Sequence, residues 1–388
     1  MRGFLTIATL TTMAVAATFV VGCGGGSGGS GSGAGNGTFA AGTVLGLGVS
    51  PGDLALADMD KDGTADRLAV RGGLFDQLLV YDGQASGFGP ESPYVLDGDE
   101  PRALGTGDFD DDGSTDVLVW CEDGIVDHLE AATVNNVLGI FDRTDLTGAG
   151  TAGARGMRVA RLNGDADEDV IMGLAGALTR FDGTTSSNFL TSVDLSPSGF
   201  LSGIATPDLD GDGQGDLVGI NLFGQVTVAK NAGLGGFLAP TTHPLPTPAT
   251  SATAWGALDG AAGTDVVVGL QAASGGGVRV AVLPNLVNGT ANVGAPDIVT
   301  VTLAEEASVV ALEAPDLDED GDADLVVATA GHVYILLNNG VGAFTLADTL
   351  TPGGTIDAIA VGDVNGDGIL DLAVRAGASV TPFFGHEG

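Results

Sequence analysis

From Thr38 onward the chain alternates short apolar runs with glycine-rich and polar turns, and the three-to-four-residue spacing of an amphipathic helix is absent. Small apolar runs, LALA at 54, GIAT at 203 and AIAV at 358, precede an acidic segment, and continuous ones such as DLVVA at 324 follow it. A third run, HVYILL at 332, and a fourth built around phenylalanine, AFTLA at 343, complete the unit before the pattern starts again. Four short strands separated by turns are therefore predicted in every unit.

The acidic segments are copies of one another. DMDKDGTAD at 58, DFDDDGSTD at 108, DLDGDGQGD at 208, DLDEDGDAD at 316 and DVNGDGILD at 363 share one spacing, and RLNGDADED at 161 and ALDGAAGTD at 257 are worn versions. Their starts lie 50, 53, 47, 49, 59 and 47 residues apart, an array of roughly fifty-residue units. Phe39, Phe88, Phe141, Phe189, Phe237 and Phe344 each stand 19 or 20 residues before a loop; only the unit before Asp316 lacks one, with Gly294, Ala295 and Pro296 there instead. That spacing is fixed while the spacing from loop to next phenylalanine varies, so insertions fall after the loop, longest in the fifth unit and next in the second.

Seven such units predict an all-β fold, a seven-bladed β-propeller of four-stranded blades with small residues on the crowded innermost strand. Sliding the sixth unit by 47 residues lays GHVYILLNNG at 331 onto ASVTPFFGHE at 378, so the last unit ends after its third strand. Its missing fourth strand is expected in TFAAGTVLGLG, from Thr38, which makes the N-terminal segment the strand that closes the ring.

Alternate oxygen-bearing side chains around a glycine suit Ca²⁺, which accepts six to eight oxygens in a forgiving geometry. Five loops keep the whole set, namely Asp58, Asp60, Asp62 and Asp66; Asp108, Asp110, Asp112 and Asp116; Asp208, Asp210, Asp212 and Asp216; Asp316, Asp318, Asp320 and Asp324; and Asp363, Asn365, Asp367 and Asp371. With four aspartates in each of four loops and three in the seventh, these positions hold nineteen of the fifty acids, and about five Ca²⁺ sites are expected. In the third loop Arg161 and Ala166 replace the first ligand and the glycine, so a guanidinium paired with Asp165 or Asp169 is expected in place of an ion. The fifth loop keeps Asp259 and Asp265 but has Ala257 and Ala261, which leaves a turn without metal.

Charge narrows the partners. Thirteen basic against fifty acidic residues give a formal charge of -37, which argues against nucleic-acid phosphate and anionic lipid surfaces as partners. A hydrophobic fraction of 44% still suffices for a core. The beginning of the chain is set apart: Arg2, an apolar stretch from Phe4 to Val21, and then Gly22 and Cys23. This resembles a bacterial lipoprotein signal over residues 1–22, and the resemblance implies lipidation at Cys23, export, and anchoring to the cell envelope, at the outer membrane in a Gram-negative cell. An uncleaved anchor is the alternative, since the stretch approaches the ~20 residues that span a bilayer. Residues 23–37 follow as a tether, GGGSGGSGSGAGNG, whose literal match to G-x-S-x-G at Gly25 to Gly29 is compositional. Residues 38–388 are the propeller. Cys121 is the only other cysteine, so no disulfide framework holds the fold.

The loops, the strand that follows each, and the phenylalanine offset resemble the FG-GAP and VCBS repeats, including the seven-bladed propeller of integrin α chains. The resemblance covers residues 38–388. It implies side-chain ligation of calcium at loop positions one, three, five and nine and a carbonyl ligand at position seven. A monomer whose membrane contact is its lipid anchor alone is expected. DVNGDG also looks like a dockerin loop, but LDLAV continues as strand where a dockerin turns into helix. Propellers of this kind serve adhesion, glycan binding and secreted enzymes alike, so function has to come from the site.

His128, His243, His332 and His386 fall in no nucleophile or zinc arrangement. A surface propeller that binds a polysaccharide or protein partner without catalysis is the leading reading. A polysaccharide lyase or hydrolase and an envelope assembly scaffold are the alternatives. Recognition is expected in the insertions at 270–297 and 128–142, with Trp255 as the ligand-binding candidate and Trp120, in VLVWC, as core. Deleting residues 38–48 is expected to unfold or polymerise the protein; a truncated chain that melts like the intact one would sink the seven-blade closure.

Overall fold

A computed structural model of the protein describes residues 35–46, 53–71, 76–109, 113–123, 125–130, 142–145, 157–165, 167–174, 177–183, 192–195, 202–221, 223–233, 236–260, 263–272, 277–284, 297–301 and 307–387. The leader, Cys23, Asp110, Asp112, Phe141, Phe189 and most of the two insertions lie outside these residues. Strands β1 (Gly35–Ala41) and β2 (Leu45–Gly46) come first. Blade one is β3 (Leu54–Ala57), β4 (Asp66–Arg71), β5 (Gln77–Gln84) and β6 (Gly87–Val95). Blade two is β7 (Pro101–Gly107), β8 (Asp116–Cys121), β9 (Val126–Glu130) and β10 (Asp142–Asp145). Blade three is β11 (Met157–Ala160), β12 (Asp169–Leu174), β13 (Ala177–Phe181) and β14 (Ser192–Leu195). Blade four is β15 (Ser202–Ala205), β16 (Leu217–Ile220), β17 (Val226–Ala229) and β18 (Thr241–His243). Blade five is β19 (Ala249–Gly256), β20 (Asp265–Leu270), β21 (Val278–Leu283) and β22 (Asp297–Val301). Blade six is β23 (Ala311–Glu313), β24 (Leu325–Ala328), β25 (Val333–Leu337) and β26 (Thr345–Leu350). Blade seven is β27 (Ile356–Gly362), β28 (Asp371–Ala376) and β29 (Ser379–Glu387), with β1 as its outer strand.

All pairings are antiparallel, and the first strands β3, β7, β11, β15, β19, β23 and β27 pack side by side in cyclic order, β27 returning to β3. The protein is thus an all-β, seven-bladed propeller with the first strand of each blade innermost. Ring closure follows the expected route. Phe39 pairs with Gly385 and Ala41 with Phe383, and β2 adds Leu45 opposite Val380. The closing strand begins at Gly35, three residues before the expected start, because Asn36 contributes too: its Nδ2 donates to the carbonyl of Glu387 at 2.7 Å. Phe39 N–H donates to Asp348 Oδ2 at 3.0 Å, which ties the closing strand to blade six as well.

The core lies between blades, and it explains the two fixed sequence markers. The apolar second position of a loop faces the next blade, where it meets that blade's phenylalanine. Val364 shares a cluster with Phe88, Leu162 with Phe237, Leu258 with Phe344, and Leu317 with Phe39. A phenylalanine displaced by one residue would turn to the other face of its strand, so the spacing is held by packing. On the innermost strands the third residue before the loop is small in five blades: Ala55, Gly105, Ala205, Ala254 and Ala360. The other two carry Arg158 and Glu313, both buried. Burial pushes the Glu313 carboxyl well up, and the Arg158 guanidinium partly offsets it.

Main-chain bonds cross the blade boundaries at the loops. Ala65 N–H donates to the carbonyl of Asp363, Gly215 to that of Arg161, and Ala323 to that of Ala257, at 2.6–2.9 Å. Both worn loops have an extra clamp from the following blade. Asn231 Nδ2 donates to the carbonyls of Leu162 and Gly215, and Asn338 Nδ2 to those of Leu258 and Ala323, at 2.7–3.2 Å. Replacing Asn338 by Leu leaves two buried carbonyls without that donor and is expected to cost about 1–3 kcal/mol, read as a lower denaturant midpoint at unchanged slope.

Candidate metal centres

All seven acidic loops join the first strand of a blade to its second, so they lie along one edge of the ring. Within each intact loop the side chains cap the loop's own main chain. The first-position Oδ2 accepts from the glycine at position six, at 2.8–3.1 Å, in Asp58, Asp108, Asp208, Asp316 and Asp363. Those glycines, Gly63, Gly113, Gly213, Gly321 and Gly368, have φ between 78° and 95°, where a Cβ is strained. Position five caps position seven: Asp62, Asp212, Asp320 and Asp367 accept from Thr64, Gln214, Asp322 and Ile369 at 2.8–3.0 Å. In Asp208 and Asp363 the second oxygen is held as well, by the N–H of Gly211 and of Gly366 at 2.7 Å.

The result is convergence of charge. One carboxylate oxygen each from Asp58, Asp60 and Asp62 lies within 4.8 Å of the others, and so it is for Asp208, Asp210 and Asp212 and for Asp316, Asp318 and Asp320. Asp58 Oδ1, Asp210 Oδ1 and Asp316 Oδ1 are buried without a hydrogen bond. Buried acceptors without donors are costly. Burial raises the carboxyls of Asp60, Asp316 and Asp318, and neighbouring loop aspartates raise them further. Three acidic oxygens in such a cluster, one of them orphaned, suit a hard divalent cation. In the seventh loop Asn365 takes the third place, its Oδ1 accepting from Asp367 N–H at 2.9 Å and its Nδ2 donating to Asp367 Oδ2 at 3.0 Å. In the second loop Asp108 and Asp116 accept from the N–H groups of Gly113 and Phe109, while Asp110 and Asp112 lie outside the described residues.

The ninth position does more than the repeat pattern implies. In every blade its carboxylate is buried, and Oδ2 accepts from the N–H of loop position two at 2.8–3.1 Å. In five blades Oδ1 also accepts from the N–H that ends the third strand, at 2.7–3.0 Å: Gly83 to Asp66, Gly183 to Asp169, Asn231 to Asp216, Asn338 to Asp324 and Gly385 to Asp371. Burial still pushes Asp66 and Asp371 up to about 7 and Asp169, Asp216 and Asp324 up to about 6.

The worn third loop departs from expectation. Arg161 is exposed and faces Glu168, whose carboxyl burial raises and Arg161 lowers. Asp169 is served by the N–H groups of Leu162 and Asn163 and by Asn163 Nδ2, so it has no need of a guanidinium. The arginine paired beside this loop is Arg180, through Asp182. Two residues absent from the sequence reading also enter the sites. Asp82 lies within 4.8 Å of Asp60 and Asp66 through ligand-type oxygens, and the Lys230 ammonium pairs with Asp210. An Asp-Gly at 82 reads as a turn, so only its place at the end of a third strand marks it.

Trp255 is half-buried on β19 against the core between blades four and five, and Trp120 is core, 3% exposed. Cys121 is buried, which pushes its thiol up and suits a packing role. His128 is buried edge-on to Phe109 and 3.8 Å from Asp116, His243 ends β18 with burial lowering its imidazole, and His332 lies beside Tyr334.

The fold defines a seven-bladed β-propeller with an acidic loop in every blade. Residues 316–374, the sixth loop through β28, match the family described as "FG-GAP-like repeat". No curated protein matches the chain. Among solved structures it is similar to BBS1N, in crystals of its complex with ARL6DN soaked with lead or with mercury, at 12% identity, 89% of this chain and 96% of that one, with a TM-score of 0.62. It is also similar to a lectin of Agrocybe aegerita, described as specifically recognising non-reducing terminal N-acetylglucosamine, at 17% identity, 86% and 85% coverage and a TM-score of 0.56. At these identities the likeness is one of fold.

Raised carboxyls give the metal-free protein a definite pH dependence. An unfolded aspartate titrates near ~3.9, so between that value and the folded values of about 6 to about 7 the native chain binds the extra protons. That contribution to stability is complete below about pH 4 and is lost as pH rises through about 7. In chelator, thermal melts are expected to show a lower Tm at about pH 8 than at about pH 5, and millimolar calcium, which favours the ionised form, is expected to remove the difference.

Proposed function

We propose that this protein is a calcium-stabilised propeller held at the bacterial cell surface, binding a polysaccharide or a protein partner without transforming it. The observation that carries the reading is the convergence of three carboxylates in each of loops one, four and six, with an orphaned buried oxygen in each. Calcium suits them better than magnesium, because flexible loops of carboxylate and main-chain oxygen match its loose coordination, whereas magnesium demands a strict octahedron. The residues that would hold it are the first, third and fifth of each intact loop, with the ninth beside them. Bound calcium would neutralise charges that otherwise repel along one edge of the ring, in a chain without a disulfide framework.

Recognition is assigned to long connections over this scaffold. The strand ends that bracket residues 131–141 and 285–296 lie on the same edge as the cation loops, so ligand and metal would share one face. The likeness in fold to a lectin and to a propeller crystallised with a protein partner supports binding as the task. Strong negative charge disfavours nucleic acid, and lipidation of Cys23 would supply the membrane attachment, leaving a monomeric propeller on its tether.

The test is a broad glycan array probed with the purified protein in millimolar calcium and again in chelator, beside a turnover assay on plant and algal polysaccharides. Calcium-dependent capture of one glycan class without turnover is expected. Turnover would replace this reading by the enzyme one, and silence of a folded protein in both buffers would turn it toward a protein partner.

A further inference from the structure

In five blades one hydrogen bond makes the residue before the end of the third strand structurally equivalent. Gly83, Gly183, Asn231, Asn338 and Gly385 donate their N–H to the ninth-position aspartate, so the residues preceding them occupy one structural place. They are Asp82, Asp182, Lys230, Leu337 and Phe384 in blades one, three, four, six and seven. This place stands next to the cation loop, yet it carries a negative, a positive or no charge from blade to blade.

In blade one, Asp82 joins Asp60 and Asp66 in a second carboxylate triad that shares Asp60 with the first, so five acids converge on loop one. Asp58 Oδ1 is orphaned there, and Lys61 at position four has a φ of 62°, in the left-handed region. Loop four is the opposite case. Its position four is Gly211, whose N–H donates to Asp208 Oδ1 at 2.7 Å, so both oxygens of Asp208 are held by the main chain. Lys230 closes on Asp210, whose side chain is 3% exposed and whose Oδ1 has no hydrogen bond. The Lys230 main chain is fixed separately, its carbonyl accepting from Leu238 N–H at 2.8 Å, so the ammonium can leave without disturbing the strand. In blade three Asp182 is occupied by Arg180, and Leu337 and Phe384 bring no charge.

We infer that the residue in this place grades the ring: Asp82 makes loop one the tightest cation site, and Lys230 is a resident cation in loop four that calcium must displace. The inference rests on the calcium reading of the loops. It implies that the sites fill in sequence as calcium rises, loop one first and loop four last. Filling loop four also releases a lysine to solvent on the edge where the ligand-binding connections begin.

The experiment is calorimetric titration of the full-length, calcium-stripped protein with calcium, with bound metal counted independently, on the parent chain and on Lys230→Met and Asp82→Asn. Near-UV and far-UV circular dichroism in saturating calcium verify folding, and Lys230→Gln serves if Lys230→Met misfolds. Lys230→Met or Lys230→Gln is expected to strengthen the weakest class of sites by about tenfold, and Asp82→Asn to weaken the tightest class by about tenfold, from one added or removed charge at contact distance. Parent protein that takes up no calcium overturns the calcium reading itself. Normal uptake with isotherms unchanged by either kind of substitution overturns the grading alone.

Discussion

Seven carboxylates buried at the mouths of seven second strands hold this molecule in register. A negative charge at that depth is tolerated only where donors surround it, and here the donors are main-chain N–H groups from the loop before and, in five blades, the strand after. Each aspartate therefore ties the turn to the strand it begins, and in five blades it ties in the far end of the third strand as well. The worn loops make its priority plain. Arg161, Ala257 and Ala261 have replaced other members of the set, yet Asp169 and Asp265 remain, buried and bonded to position two as in the intact blades. Framing the blade is thus a demand on this residue in all seven blades, whether or not the rest of the acid set is kept.

A second constraint is the scarcity of positive charge. Of thirteen basic residues, Arg67, Arg158, Arg180 and Arg375 are buried. Arg67 occupies a site that valine or leucine fills in the other blades and lies 3.6 Å above the ring of Tyr81, with burial lowering it to about 10. Arg375 holds Asp357 within blade seven, and Arg158 sits in the field of Asp53 and Glu313. The outer surface is left overwhelmingly acidic as a consequence. A surface of that sign repels phosphate-rich polymers at long range.

Architecture was almost wholly legible in the sequence because it is repeated. One loop read in isolation is ambiguous, whereas seven in register, six of them with a phenylalanine 19 or 20 residues ahead, leave one topology, and the position of Phe39 foretold the closing strand. What stayed hidden are contacts between elements whose separation varies. Asn231 and Asn338 clamp worn loops from the neighbouring blade, and Asp82 and Lys230 reach loops that begin some twenty residues earlier, so none of them stands inside the motif. Arg158 and Glu313 were invisible for the opposite reason: they occupy places reserved for alanine and glycine, and only the ring brings them within one field. The expected pairing of Arg161 failed because Asn163, a neighbour with a shorter reach, had already met the needs of Asp169.

Closure through β1 has a consequence for the order in which the molecule can be made. Gly35 pairs with Glu387, so the first described strand waits for the last. Until then six complete blades form an open arc with an unpaired sheet edge at one side, the kind of edge that recruits other chains. That one pairing closes the ring across the greatest sequence distance in the described chain, and contacts of such separation carry the largest loop-closure cost and are slow to form.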